Sequence, residues 1–185
     1  YGGLPLILSK RSDAEKSKYL SDVLKNVYVK DIVEHNKLRS NMILDELIDV
    51  LASSIGSLSN PTNIANTFIS HGIKTNDNTI SNYIDYLIDA FLINKTKRYN
   101  IKGRKFIGSP FKYYFTDIGL RNAKLNFSQP EQTHIMENII YNELLVRGYN
   151  VDVGIVEKRV VDSNGKQSNT QLEVDFVCKQ GNKRY

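Results

Sequence analysis

Leu92-Ile93-Asn94-Lys95-Thr96-Lys97-Arg98-Tyr99-Asn100-Ile101-Lys102-Gly103-Arg104-Lys105-Phe106-Ile107-Gly108-Ser109-Pro110-Phe111-Lys112-Tyr113-Tyr114-Phe115 reads as a β-hairpin that is unusually basic. Residues 92–99 and 106–115 are rich in β-branched and aromatic side chains, 101–104 form the turn, and Gly108 to Pro110 break the returning strand. From Ile93 to Lys124 the chain carries Lys95, Lys97, Arg98, Lys102, Arg104, Lys105, Lys112, Arg121 and Lys124 against Asp117 alone, a local charge of +8. The net charge of the whole chain is +5, so the remainder is slightly acidic. Cations interleaved with Tyr99, Phe106, Tyr113 and Tyr114 suit a polyanion-facing surface, because they displace counterions from phosphates while the rings stack or pack. Lys95, Lys97, Arg98, Lys102, Arg104, Lys105 and Lys112 are the nucleic-acid contacts this reading expects. The equal alternative is a solvated hairpin whose lysines keep its edge from aggregating.

The residues before the hairpin form helices. Ser12 and Glu15 make a capping-box signature that opens a helix to about Glu34, with Leu20, Val23, Leu24, Val27 and Tyr28 as its apolar stripe. A second helix spans about 41–55 and buries Ile43, Leu44, Leu47, Ile48 and Leu51. Asn60 before Pro61 reads as an N-cap and first-turn proline, starting a short helix that stops at Gly72. A further helix, from about Asp77 to Phe91, places Ile80, Tyr83, Ile84, Leu87, Ile88 and Phe91 inside. Three helices followed by a basic hairpin is the order of a winged helix. There the third helix would read the major groove, with Asn76, Asn78, Thr79, Ser81, Asn82 and Asp85 on its outer face, and the hairpin would be the wing. Asp77, Asp85 and Asp89 repel phosphates, so the expected contact is nonspecific and runs through the wing. Docking of a protein partner is equally compatible.

Beyond a polar linker at Ser128, Gln129 and Pro130 a new unit begins. It reads as a helix over about 132–147 stopped by Gly148, a strand over 151–161, a turn at Asn164 and Gly165, a strand over 171–178, and the start of another after Gly181 and Asn182. Strict alternation puts Glu173 and Asp175 on one face of the second strand, with Leu172, Val174 and Phe176 on the other. Glu137 lies beside the helix's apolar stripe of Ile140, Tyr141, Leu144 and Leu145. A carboxylate there needs a partner, because an unpaired buried charge is costly. Either a basic side chain or a magnesium ion shared with Asp175 would supply it. Glu173 is a weaker candidate for the same site, and Glu143 is expected to pair with Arg147 one turn later.

Bulk properties narrow the field. A chain of 185 residues has room for a substantial core, as one domain or two small ones. No apolar run approaches the length of a bilayer span, and the first residues lack a charged leader, so no membrane partner and a cytoplasmic location are expected. The single cysteine, Cys178, excludes an internal disulfide framework and reads as a buried packing thiol. His35, His71 and His134 share no ligand spacing, and no G-x-S-x-G nucleophile elbow occurs.

Several strings together resemble one group. They are Gly2-Gly3-Leu4-Pro5, Arg98-Tyr99-Asn100-Ile101-Lys102-Gly103, Lys112-Tyr113-Tyr114-Phe115-Thr116-Asp117-Ile118-Gly119-Leu120-Arg121-Asn122, and Glu137-Asn138-Ile139-Ile140-Tyr141-Asn142-Glu143-Leu144. The chain is similar to the C-terminal part of uncharacterised prokaryotic AAA+ superfamily ATPases, in which an ATPase domain is followed by a winged helix and a PD-(D/E)xK nuclease-like region. The resemblance implies an α+β chain divided into a linker and helix at 1–36 following the ATPase domain, a winged-helix domain at 37–126, and a truncated αββ(β) restriction-endonuclease-like unit at 127–185. It implies Glu137 and Asp175 as the metal-binding, catalytic acids, with a third motif carrying a lysine falling after Tyr185. ATP would belong to the preceding ATPase domain, since no glycine-rich phosphate loop occurs here. The expected function is nucleic-acid binding or partner docking without catalysis. The alternatives are a magnesium-dependent DNA nuclease, or a protein-interaction region that regulates the ATPase.

Overall fold

A computed structural model of the chain describes residues 1–38, 40–128, 132–161 and 167–185. Gln129 and Pro130 of the expected linker, and the turn at Asn164 and Gly165, lie outside the described residues. After a 3-10 turn at Pro5–Ser9, α1 (Asp13–Val23) starts on Ser12, whose hydroxyl accepts the Glu15 N–H at 3.2 Å. The Glu15 carboxylate reaches back to the N–H of Arg11 at 2.8 Å, one residue earlier than a regular capping box. α1 runs through a π-helical turn, Leu24–Val29, into α2 (Lys30–His35). A π turn holds extra residues and so rotates the buried stripe. Leu20 and Leu24 are therefore followed inward by Val29 and Ile32, while Val27, expected inside, is exposed.

α3 (Met42–Ser53), α4 (Pro61–Ser70) and α5 (Asp77–Asp89) follow. Asn60 caps α4 by accepting the Asn63 N–H at 2.7 Å, with Pro61 in the first turn. Asn76 caps α5, its Oδ1 accepting the Thr79 N–H at 2.9 Å and the Thr79 hydroxyl at 3.1 Å. That side chain is thus spent on the helix end and is not free on an outer reading face. Phe91, expected in the core, is 77% exposed: α5 ends at Asp89, and a φ of 56° carries Phe91 off the apolar stripe.

β1 (Ile93–Asn100) and β2 (Lys105–Phe115) form the hairpin, antiparallel, with a register break between Thr96 and Arg98. Phe111, beside that break, exchanges two 2.8 Å backbone hydrogen bonds with Ser59 in the α3–α4 loop. β3 (Asn150–Val161), β4 (Gln167–Gln180) and β5 (Lys183–Arg184) complete one mixed sheet in the order β2-β1-β3-β4-β5. β1 pairs with β3 in parallel through Arg98–Val153, Tyr99–Gly154 and Asn100–Ile155, so the hairpin is built into the sheet of the C-terminal strands. α6 (Ile118–Lys124) has no counterpart among the expected elements; its start signal is Asp117, which accepts the N–H groups of Gly119 and Leu120.

The larger core cluster unites Leu20, Leu24 and Ile32 of the first helices with Leu44, Leu47, Ile64, Phe68, Ile84 and Leu120. A smaller one gathers Tyr114, Tyr141, Val151 and Cys178 where α7 (Gln132–Val146) meets the sheet. The architecture is mixed α+β. Among the described residues, no helix is long and apolar enough to cross a membrane.

Candidate functional site

Lys112 projects from β2 toward α7, where its Nζ lies 2.8 Å from Glu137 Oε1 and 2.6 Å from Glu173 Oε1 of β4. The Tyr114 hydroxyl donates to the same Glu137 oxygen at 2.5 Å. Only 5% of the Lys112 side chain is exposed, against 13% for Glu137 and 34% for Glu173. One ammonium therefore sits between two carboxylates, opening to solvent on the Glu173 side. Burial pulls the Lys112 pKa down, but its hydrogen bonds and charge attraction to Glu137 and Glu173 outweigh this and hold it above the ordinary value. Burial and the Glu137 contact likewise push the Tyr114 hydroxyl up, so it stays a protonated donor. His134 Nδ1 stands 4.0 Å from the other Glu137 oxygen.

The same helix is fastened to the end of β2 by two asparagines. Asn138, fully buried, accepts the Phe115 N–H and donates to the Phe115 carbonyl, each at 2.7 Å. Asn142 donates to the carbonyls of Phe115 at 2.8 Å and Thr116 at 3.1 Å. Tyr141 stacks on Tyr114 with ring centroids 4.2 Å apart. The inward face of α7 is thus Glu137, Asn138 and Tyr141, while Ile140, placed on the stripe by helical spacing, is exposed.

The expected acids fare differently. Glu137 finds a basic partner, the first of the two solutions open to it. Asp175 is exposed, and among the described residues its side chain makes no ion pair or hydrogen bond. Strict alternation fails at this point of β4. Asp152 pairs with Val177 and Gly154 with Val174, so β4 carries an extra residue opposite Val153. Past that bulge Phe176 packs toward Tyr114 and Tyr141, on the same side of the sheet from which Glu173 reaches Lys112. Among the described residues no group of three or more His, Cys, Asp or Glu is disposed to hold a metal ion.

The seven hairpin cations divide by environment. Lys97, Lys102, Arg104 and Lys105 are exposed. Lys95 lies with its ammonium 4.4 Å from the centre of the Phe111 ring. Arg98 is buried and donates to the Ser109 carbonyl at 3.1 Å, and Lys112 is held by the two glutamates. Further along, Arg121 is fully buried and donates to the Ala52 carbonyl, while Lys124 pairs with Asp45 at 2.7 Å and Asp49 at 3.1 Å. Much of the positive charge of this segment is structural. Cys178 is buried, with its thiol pKa raised by that burial, as a packing role requires. Glu143 pairs with Arg147 at 2.8 Å.

Asp117 ties two distant strings together. Besides capping α6 it accepts the Gly3 N–H at 2.7 Å. A side chain on Gly2, at φ 75°, would lie 2.1 Å from the Asp117 carboxylate, and one on Gly119 would lie 2.2 Å from the Tyr1 carbonyl. Both glycines are needed for that approach. Sequence reasoning did not assign Asn138, Asn142 or the structural role of Asp117; the i, i+4 asparagine pair and an aspartate two residues before a glycine were the available signals.

Residues 1–131 match the model of a domain of unknown function, DUF8612, and that match ends one residue before α7. An uncharacterised protein of Haemophilus influenzae is 34% identical over 177 residues, which is 96% of this chain and 44% of that protein. Uncharacterized protein MJ1544 of Methanocaldococcus jannaschii is 28% identical over 149 residues, covering 80% of this chain and 33% of its own length. The chain therefore spans less than half the length of either relative. No solved structure matches it. With the hairpin, α6 and its glycine junction all inside the matched region, the chain belongs to the DUF8612 family.

Proposed function

We propose that this chain is a nucleic-acid-binding module that uses the β1–β2 hairpin to contact backbone phosphates. The observation that carries the reading is the free half of the hairpin's charge: Lys97, Lys102, Arg104 and Lys105 are exposed, and residues 93–116 contain no acid to offset them. Cations of this kind bind phosphates by releasing counterions, without reading sequence. The order α3, α4, α5 and hairpin supports a winged-helix use of the fold. In the longer protein this module would follow a AAA+ ATPase domain, which would be the part that takes ATP.

Binding without hydrolysis is the better fit to the acids. A nuclease would need Glu137 and Asp175 on one magnesium ion, and Glu137 already neutralises an ammonium 2.8 Å away. Docking of a protein partner that regulates the ATPase ranks below phosphate contact because Lys102, Arg104 and Lys105 cluster, exposed, at the hairpin turn. Fluorescence anisotropy with a labelled DNA duplex tests the reading. Affinity should fall steeply with salt, and Lys102→Ala, Arg104→Ala and Lys105→Ala together should weaken it at least tenfold at low salt. Duplex binding unchanged in that triple variant would overturn the hairpin contact.

A further inference from the structure

The sheet has two unlike faces. Lys112, bound to Glu137, and its cross-strand neighbour Thr96 point toward α7. Alternation sends Tyr99 and its cross-strand neighbour Phe106 to the opposite face. There the two rings meet edge to face at 5.4 Å, and Phe106 is 56% exposed. Lys179 of β4 lies with its ammonium 4.1 Å from the Tyr99 ring centre and 4.4 Å from that of Phe106. Arg184 of β5 lies 4.7 Å from the Tyr99 ring. Close over Gly154, Ile101, Val174 and Val177 form an apolar floor beside the rings.

An apolar aromatic in water is usually a cost, and here it is surrounded by positive charge. Among the described residues, the acid paired with this group is Asp152, which holds Lys179 at 2.7 Å. The turn leading into Phe106 carries exposed Lys102, Arg104 and Lys105. An open ring on a sheet, flanked by cations that track a backbone, is the arrangement that holds unpaired bases: the ring stacks a base while the cations meet its phosphates. A duplex keeps its bases stacked on each other and offers this ring nothing.

We propose that the sheet face opposite α7 binds single-stranded nucleic acid, with a base stacked on Phe106 and its flanking phosphates on the hairpin cations. The inference rests on the nucleic-acid reading above and adds strand preference to it. Charge complementarity selects this occupant over an apolar protein surface.

The test compares a labelled single-stranded oligothymidylate with a duplex of equal length, for the wild-type chain, Phe106→Ala, Phe106→Tyr and the Lys102→Ala/Arg104→Ala/Lys105→Ala variant. Phe106→Ala should lose about tenfold in single-strand affinity, with duplex affinity unchanged, and Phe106→Tyr should retain wild-type binding of both. A single-stranded probe carrying 2-aminopurine should change its fluorescence on binding wild type and not on binding Phe106→Ala. Circular dichroism of each variant confirms the fold, and exposure of Phe106 makes the substitution tolerable. If the triple variant loses duplex and single-strand binding but Phe106→Ala loses neither, the stacking inference falls while the phosphate reading stands. If wild type binds neither probe, both fall.

Discussion

Lys112 shows what a single buried charge demands. Taking an ammonium out of water costs several kcal/mol, and only close carboxylates offset it. Glu137 and Glu173 supply them at 2.8 and 2.6 Å. Lys112→Met should therefore destabilise the chain by about 3–5 kcal/mol, because it leaves two carboxylates facing each other at a largely buried site. Combining it with Glu137→Gln should recover part of the loss; urea unfolding of the single and double variants measures both. The pH response follows from the raised pKa of Lys112 and of Tyr114. A folded lysine that holds its proton above the ordinary 10.5 contributes stability that is intact below that value and lost as pH rises through the folded pKa. Tyr114 acts in the same direction, since the unfolded tyrosine releases its proton near 10.0 while the folded one keeps it. The urea midpoint should thus hold up to about pH 9.5 and decline above pH 10, and Lys112→Met should show a shallower decline. From the sequence, Glu137 was identifiable as a carboxylate needing a partner. The partner was not, because Lys112 lies 25 residues away on another element and counted equally well as a phosphate contact.

At the scale of elements, α7 is held to β2 by a side chain that imitates a strand. Asn138 offers its amide to the N–H and carbonyl of Phe115, the two groups a neighbouring strand would otherwise satisfy. Asn138→Ala leaves the Phe115 N–H buried and unpaired while the carbonyl keeps its bond from Asn142 at 2.8 Å, so a loss of about 1–3 kcal/mol is expected. Hydrogen exchange at the Phe115 amide should accelerate beyond the change in global stability, and no selective acceleration would show that α7 is held by its apolar contacts instead. Most elements here were legible from caps and periodicity: Asn60 with Pro61 and the basic hairpin with its break all form. What failed were positions where the period itself changes. The π-helical turn at Leu24–Val29 rotates the stripe from Val27 to Val29, and the bulge opposite Val153 puts Phe176 on the side of Glu173. Neither irregularity has a composition of its own, so counting residues at fixed spacing cannot register it.

For the whole molecule, the question is how much of its charge is available to a partner. The segment from Ile93 to Lys124 holds nine cations in the sequence. Folding commits Arg98, Lys112, Arg121 and Lys124 to internal carbonyls and carboxylates, and lays Lys95 on Phe111. Four hairpin cations, Lys97, Lys102, Arg104 and Lys105, remain in solvent. Each phosphate neutralised on B-form DNA contributes about −0.9 to the slope of log affinity against log salt. All nine together would give a slope of about −8, whereas the four exposed ones give about −3.6. Duplex titrations across a range of salt should therefore return a slope between about −3 and −4. Replacing the four with alanine should bring it close to zero, and replacing Lys124 should leave it unchanged because that charge already serves Asp45 and Asp49. A wild-type slope steeper than about −6 would require phosphate contacts beyond the hairpin, and would move the binding surface to another part of the molecule.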